Sequence, residues 1–207
     1  MKNLIPNGRE PLVLEHRLIE SGKKIIVGID EVGRGCIAGP VVAAAVILDM
    51  EKLSIASKIR DSKKITPANR EKYFDILQNE CLSIGIGFID HQVIDKINIL
   101  QATFEAMKIA ISQLKMTPDV YLVDGNQKIP MDIEQLCIPK GDDLITSIGA
   151  ASIIAKVTRD RWMKTISEKY PHYLFEKNKG YGTAEHIDAI RNHGFSEIHR
   201  RSFQINL

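Results

Sequence analysis

The chain holds 207 residues with a formal net charge of +2; 44% are hydrophobic and 26% charged. A chain of this size buries roughly 70% of the surface its unfolded form exposes, and the composition is that of ordinary globular proteins, which excludes a disordered, collagen-like or disulfide-stapled chain. Cys36, Cys81 and Cys137 are odd in number and form no C-x-x-C pair, which excludes a zinc-finger pattern and points to a reducing compartment.

In chain order, the first apolar run is KIIVGI at 24–29, a strand ending on Asp30-Glu31. Residues 41–48 (VVAAAVIL) are apolar throughout, the pattern of a strand covered on both faces. Nine residues separate Glu31 from Val41, too few for the crossover helix of a parallel pair, so these strands are expected to be antiparallel neighbours. Thr66-Pro67 reads as an N-cap and N1 proline opening a helix to about Glu80. Leu82, Ile84, Ile86 and Phe88 alternate with Ser83, Gly85 and Gly87, a strand whose glycine face admits a closely packed helix.

Leu100, Phe104, Met107, Ile111 and Leu114 step by four and three residues, which predicts an amphipathic helix ending before Pro118. VYLV at 120–123 is the next strand and stops at Asp124-Gly125-Asn126. A weaker strand at 133–138 leads into Pro139-Lys140-Gly141-Asp142. A long helix is expected from Ser147 to about Ser167, and a last one from the Thr183 N-cap to His193, closed by Gly194. The order β-β-α-β-α-β-β-α-α, with antiparallel strands first, predicts a mixed-sheet α/β fold. No linker or repeat divides the chain, so one domain is expected over 1–207, with about 165–207 as a C-terminal helical segment.

The placement of acids carries the chemistry. Asp30-Glu31, Asp124 and Asp142 all fall at strand ends, where the loops of an α/β sheet open a ligand crevice. If these ends meet, four carboxylates share one pocket and repel. A hard divalent cation such as Mg²⁺ relieves that repulsion, and no His or Cys cluster competes for it. Two metals so held activate a water and stabilise the leaving oxygen in phosphodiester hydrolysis. Neighbouring strand residues face opposite ways, so Asp30 and Glu31 are expected to share a site only through a bend, for which Gly33-Arg34-Gly35 provides the freedom. The plainer reading, turn formers and helix caps, stands beside this one for Asp124 and Asp142.

Residues 140–201 carry 11 Lys and Arg against 8 Asp and Glu, interleaved with aromatics, which suits a phosphate-and-base surface as well as a solvated helical face. No apolar run nears the roughly 20 residues of a membrane helix, and the N-terminus has no signal-peptide core. The expectation is a cytoplasmic protein without a membrane partner.

The strings GIDEVGRGCIAGPVVAAAV (28–46), DSKKIT (61–66), LVDGN (122–126), KGDDLITSIGAASIIAKVTRDR (140–161), GYGTAEH (180–186) and HRRSF (199–203) resemble the ribonuclease HII family, in matching order over about 24–203. The resemblance implies a ribonuclease H-like fold, a five-stranded mixed sheet with helices on both faces. It implies an endonuclease dependent on two Mg²⁺ or Mn²⁺ ions that cuts RNA paired with DNA. It further implies incision 5′ of a single ribonucleotide in duplex DNA, leaving 3′-hydroxyl and 5′-phosphate ends. By the motifs, the catalytic, metal-holding acids are Asp30, Glu31, Asp124 and Asp142, with Asp143 an ambiguity of one residue. Gly33, Arg34 and Gly35 match the family's loop at the ribose, Tyr181 its ring against the next deoxyribose, and Lys63 a phosphate contact.

Lys156, Arg159 and Arg161 either line the duplex path or face water, and His186 and His199 read as structural. With 29 residues before Asp30 and only QINL after HRRSF, neither an N-terminal substrate domain nor a clamp-binding tail is expected, and the chain is taken as a monomer. A non-catalytic binding module would predict loss of an acid, and none is lost. A nucleotide-binding protein would need a phosphate loop, and G-R-G-C-I-A-G is not one.

Overall fold

The computed structural model describes residues 11–59 and 65–205; the DSKK string, and Lys63 with it, lies outside them. Five strands form one mixed sheet: β1 (Ile26–Val32), β2 (Val41–Leu48), β3 (Cys81–Ile89), β4 (Val120–Asp124) and β5 (Gln135–Ile138), in the order β3-β2-β1-β4-β5. β2 is antiparallel to both β1 and β3, while β4 runs parallel to β1 and to β5. The expected antiparallel start and helix-joined continuation are both present.

Helices cover the two faces. On one lies α4 (His91–Ser112), its Ala106, Met107 and Ala110 packed with Val27, Ile29 and Ala43. The small residues of β3 let it sit close: a β-carbon at Gly85 would stand 1.9 Å from the Ala110 carbonyl oxygen, and one at Gly87 as close to that of Ala106. The glycine face is therefore the buried one, and Leu82 and Phe88 are exposed. α4 starts earlier than its apolar stripe and breaks at Asn98, whose backbone leaves the helical region and whose Oδ1 accepts from Leu100 N and Gln101 N, restarting the helix as a cap.

On the other face α6 (Thr146–Lys169) lies across β1 and β2, beside α3 (Pro67–Glu80), which the Thr66 hydroxyl caps as expected. The sequence pattern missed α1 (Val13–Glu20), which buries Leu14 and Leu18 against Val120, Leu122 and Ile148. Its Glu15 is buried and accepts from Ser147 N at 2.8 Å, supplying across 132 residues the cap that α6 lacks locally. The short α2 (Ala56–Ile59) and α5 (Gly141–Leu144) were also unanticipated. After α6 come a 3₁₀ turn (Pro171–Tyr173), α7 (Phe175–Asn178) and α8 (Ala184–His193), around a separate apolar cluster of Met163, Tyr173, Phe175 and Ile190. Among the described residues, no helix is long and apolar enough to cross a membrane.

Candidate active site

The parallel strands β1 and β4 end side by side, with Ile29 opposite Val123, which brings Asp30 and Asp124 to one rim of the sheet. A cleft of about 410 Å³ opens there, lined by Asp30, Glu31, Asp124 and Asp142 together with Arg70, Lys140, Ser152, Lys156 and Tyr181. All four carboxylates singled out in the sequence thus border one space. Asp143 does not line it, and α5 presents Asp142, nearly fully buried, in its place.

The expected bend at Asp30-Glu31 is absent. The β1–β2 register runs unbroken through Asp30↔Ala44, Glu31↔Ala43 and Val32↔Val42. Ala44 belongs to the core under α6 and Ala43 to the core under α4, so the two acids face opposite sides. They border the same cleft because they stand at its rim, where no further strand separates the faces.

Each carboxylate is oriented by neighbours. Asp30 Oδ1 accepts from Glu31 N at 2.7 Å and its carboxyl also pairs with the Ser152 hydroxyl; Asp124 Oδ1 accepts from Gly141 N at 2.6 Å. Burial raises the Asp30 carboxyl well above the usual range, and the Glu31 and Asp124 charges push it further. Burial likewise raises Glu31, against the opposing pull of the Arg34 guanidinium 3.2 Å away, and raises Asp124, aided by Asp142. These are oxygen ligands crowded together, and the Arg34 contact offsets only part of the upward push on Glu31. That donor set fits a hard divalent ion. Among the described residues no three His, Cys, Asp or Glu side chains are drawn tightly enough to grip one unaided.

Gly33 has a φ of +95°, and a β-carbon there would stand 2.3 Å from Arg159 Nε, so only glycine fits. Gly35 stands in open space, and Arg34 is half exposed in a small recess on the α4 side that Glu31 and Asp124 also line. Tyr181 is 43% exposed; its hydroxyl hydrogen-bonds Cys36 Sγ, so the ring is held at one end and open on its face. Burial pushes the Cys36 thiol up, which keeps it an inert partner for that hydroxyl.

Behind Tyr181 the two histidines form a chain. Ser196 N donates to His199 Nδ1 at 2.8 Å, so the His199 proton sits on Nε2 and points to His186 Nε2 at 3.0 Å, and His186 Nδ1 donates to the Tyr181 carbonyl at 2.8 Å. Burial lowers both rings, His199 to about 4, and both are neutral structural groups, as the sequence suggested. Arg159 corrects the sequence reading: it neither lines a duplex path nor faces water, but is fully buried. Arg161 is exposed, paired with Glu71 over the Phe74 ring, and Lys156 pairs with Asp160 at 2.7 Å on the cleft wall. Sequence reasoning missed Ser152, Arg70 and Lys140; Ser152 had a signal, a lone hydroxyl inside the apolar half of α6.

The sequence profile of ribonuclease HII matches residues 27–206. The chain belongs to the ribonuclease HII family. Ribonuclease HII of Caldicellulosiruptor bescii is 51% identical over 195 residues, spanning 94% of this chain and 93% of that one. The crystal structure of ribonuclease H2 from Pyrococcus horikoshii superposes with a TM-score of 0.72 at 26% identity, covering 87% of this chain and 94% of that one. Bst-RNase HIII, solved in complex with Mn²⁺, shares the fold at a TM-score of 0.68 and 20% identity, over 87% of this chain and 67% of that one. Membership in the ribonuclease HII family makes this a ribonuclease H endonuclease, acting on RNA–DNA substrates.

Proposed function

We propose that the chain cuts duplex DNA on the 5′ side of an embedded ribonucleotide, and RNA strands of RNA–DNA hybrids, leaving 3′-hydroxyl and 5′-phosphate ends for ribonucleotide removal. The observation that carries this reading is the convergence of Asp30, Glu31, Asp124 and Asp142 on one cleft that Tyr181 borders.

Asp30, Glu31, Asp124 and Asp142 would hold two Mg²⁺ or Mn²⁺ ions, which supply water activation and stabilisation of the leaving 3′-oxygen when bound. The chain's own work is positioning. Ser152 and the Glu31 amide fix Asp30, and the Gly141 amide fixes Asp124, so these two meet the substrate without reorganising. The Gly33-Arg34-Gly35 loop, bare of side chains at Gly33 and Gly35, lets backbone reach the ribose 2′-hydroxyl. Arg34 exchanges its 3.2 Å contact with Glu31 for a substrate phosphate, which its planar fork fits. The Tyr181 ring packs on the next sugar, where an extra hydroxyl would collide. Arg70, Lys140 and Lys156 give the cleft a cationic rim for the backbone, and Lys63 adds a phosphate contact. On this reading residues 165–207 are the substrate-contacting segment of one catalytic domain that acts as a cytoplasmic monomer.

The test is a labelled duplex with one ribonucleotide, incubated with Mg²⁺, Mn²⁺ or chelator. Metal-dependent cutting immediately 5′ of the ribonucleotide is expected. Cutting of long hybrids alone would leave the acids in place and remove the junction roles of Arg34 and Tyr181. Tight binding without cutting would favour a binding module.

A further inference from the structure

Two arginines with no exposed surface lie behind the substrate loop, Arg159 on α6 and Arg200 after α8. Arg34, Arg161 and Arg191, by contrast, pair with carboxylates. Both buried guanidiniums are engaged by backbone carbonyls. Arg200 donates from Nε to Gly39 at 3.0 Å, from Nη1 to Arg34 at 3.1 Å and from Nη2 to Gly33 at 2.7 Å. Arg159 donates from Nε to Pro40 at 2.8 Å, from Nη2 to Ala38 at 3.1 Å and from Nη1 to Lys179 at 2.6 Å. Burying a cation without a carboxylate is costly, so an arrangement that does it twice in one place uses those carbonyls for something other than stability alone.

The carbonyls belong to two segments, 33–40 and the turn before Tyr181. The segments also bond each other: Ile37 N donates to Gly180 O at 2.9 Å, and Cys36 Sγ lies 3.6 Å from the Lys179 oxygen. They are packed to contact, for a β-carbon on Gly180 would stand 2.4 Å from Ala38 O. We propose that Arg159 and Arg200 form a clamp that fixes the Gly33-Arg34-Gly35 loop relative to Tyr181, making both arginines positioning residues for recognition of the RNA–DNA junction. This rests on the reading of Arg34 and Tyr181 given above. Loop and ring meet neighbouring sugars of one strand, so discrimination depends on their spacing, and an error of about 1 Å can cost about 100-fold. A guanidinium suits the task because its donors lie in one rigid plane; a lysine keeps the charge and loses the fork.

The test compares Arg200→Lys, Arg159→Lys and Gly180→Ala with the parent on two substrates, a single-ribonucleotide duplex and a long RNA–DNA hybrid. Gly180→Ala prises the segments apart without touching an arginine, and so serves if an arginine variant does not fold. The ratio of kcat/KM on the first substrate to that on the second is expected to fall about tenfold in each folded variant. Equal losses on both substrates, or an unchanged ratio, would overturn the clamp. Amide hydrogen exchange in Arg200→Lys should accelerate in 33–40 and 179–181 together; acceleration of one segment alone would also overturn it. A parent enzyme with no junction preference sinks the reading of Arg34 and Tyr181, and the exchange result then decides the clamp by itself.

Discussion

Two groups of buried charge stand within one loop of each other, and they are treated in opposite ways. In the cleft Asp30, Glu31 and Asp124 are pushed up by burial and by neighbouring carboxylates, and their orienting hydrogen bonds do not relieve the crowding. The guanidiniums of Arg159 and Arg200 are buried too, and burial with the neighbouring Arg159 charge pulls Arg200 down to about 10, yet every guanidinium nitrogen ends on a backbone carbonyl. Beside them the neutral rings of His186 and His199 are likewise hydrogen-bonded. Carboxylates crowded beside open space mark where a ligand completes the structure; guanidiniums whose nitrogens all end on carbonyls mark where the fold is being held.

The comparison is broken or sharpened by substitution. The largest effect is expected at Asp124→Asn: a cleavage loss of about 10²–10³-fold or more, from removal of one member of a preorganised set. Its melting temperature should not fall below the parent's, because the amide keeps an acceptor for Gly141 N and repulsion from Asp142 is relieved. A large drop would move Asp124 into the structural class.

His199 is the converse, all stability and no chemistry. Its folded value lies near 4 against an ordinary 6.5, so the unfolded chain takes up a proton that the folded chain refuses. Its contribution is whole above pH 6.5 and is lost as pH falls toward 4, an effect of about 3 kcal/mol. Asp30, Glu31 and Asp124, raised in the fold, tilt stability the other way, so the check is a difference: between pH 7.5 and 5, urea unfolding should show less loss of stability in His199→Gln than in the parent. Equal slopes would mean that the ring is not held neutral.

Arg34→Ala should raise KM about tenfold with kcat nearly unchanged, the loss of one charge-assisted phosphate contact, read by steady-state kinetics. A fall in kcat alone would tie Arg34 to the chemistry through Glu31. Smallest is Arg161→Ala, an exposed pair with Glu71, where unfolding should shift by less than about 1 kcal/mol and cleavage not at all.

The sequence displayed the first group far better than the second. Strand-end acids sit in short strings between apolar runs, and the alternation in β3, the four-and-three steps of α4 and the apolar first half of α6 announced the sheet and its two helical layers. What stayed hidden depends on partners without side-chain identity. Arg159 looks like any cation on a charged helix half, because the carbonyls of Ala38, Pro40 and Lys179 that bury it leave no mark in the residue types. Glu15 was equally opaque: nothing in VLEHRLIE says that its acid caps a helix 132 positions away. The bend expected at Asp30-Glu31 was wrong for a simpler reason, since pairing with β2 holds β1 straight and the rim of the sheet does what a bend would have done.

The bonds from Arg200 to Gly39, Arg34 and Gly33 close chain separations of 161 to 167 residues. During synthesis the strands bearing Asp30 and Asp124 emerge early and can pair, but the frame of their substrate loop is incomplete until residue 200 has left the ribosome. A polypeptide interrupted before that point carries all four acids and Arg159 but lacks the Arg200 half of the clamp, so the full frame of the loop is assembled after the strands that bear the acids.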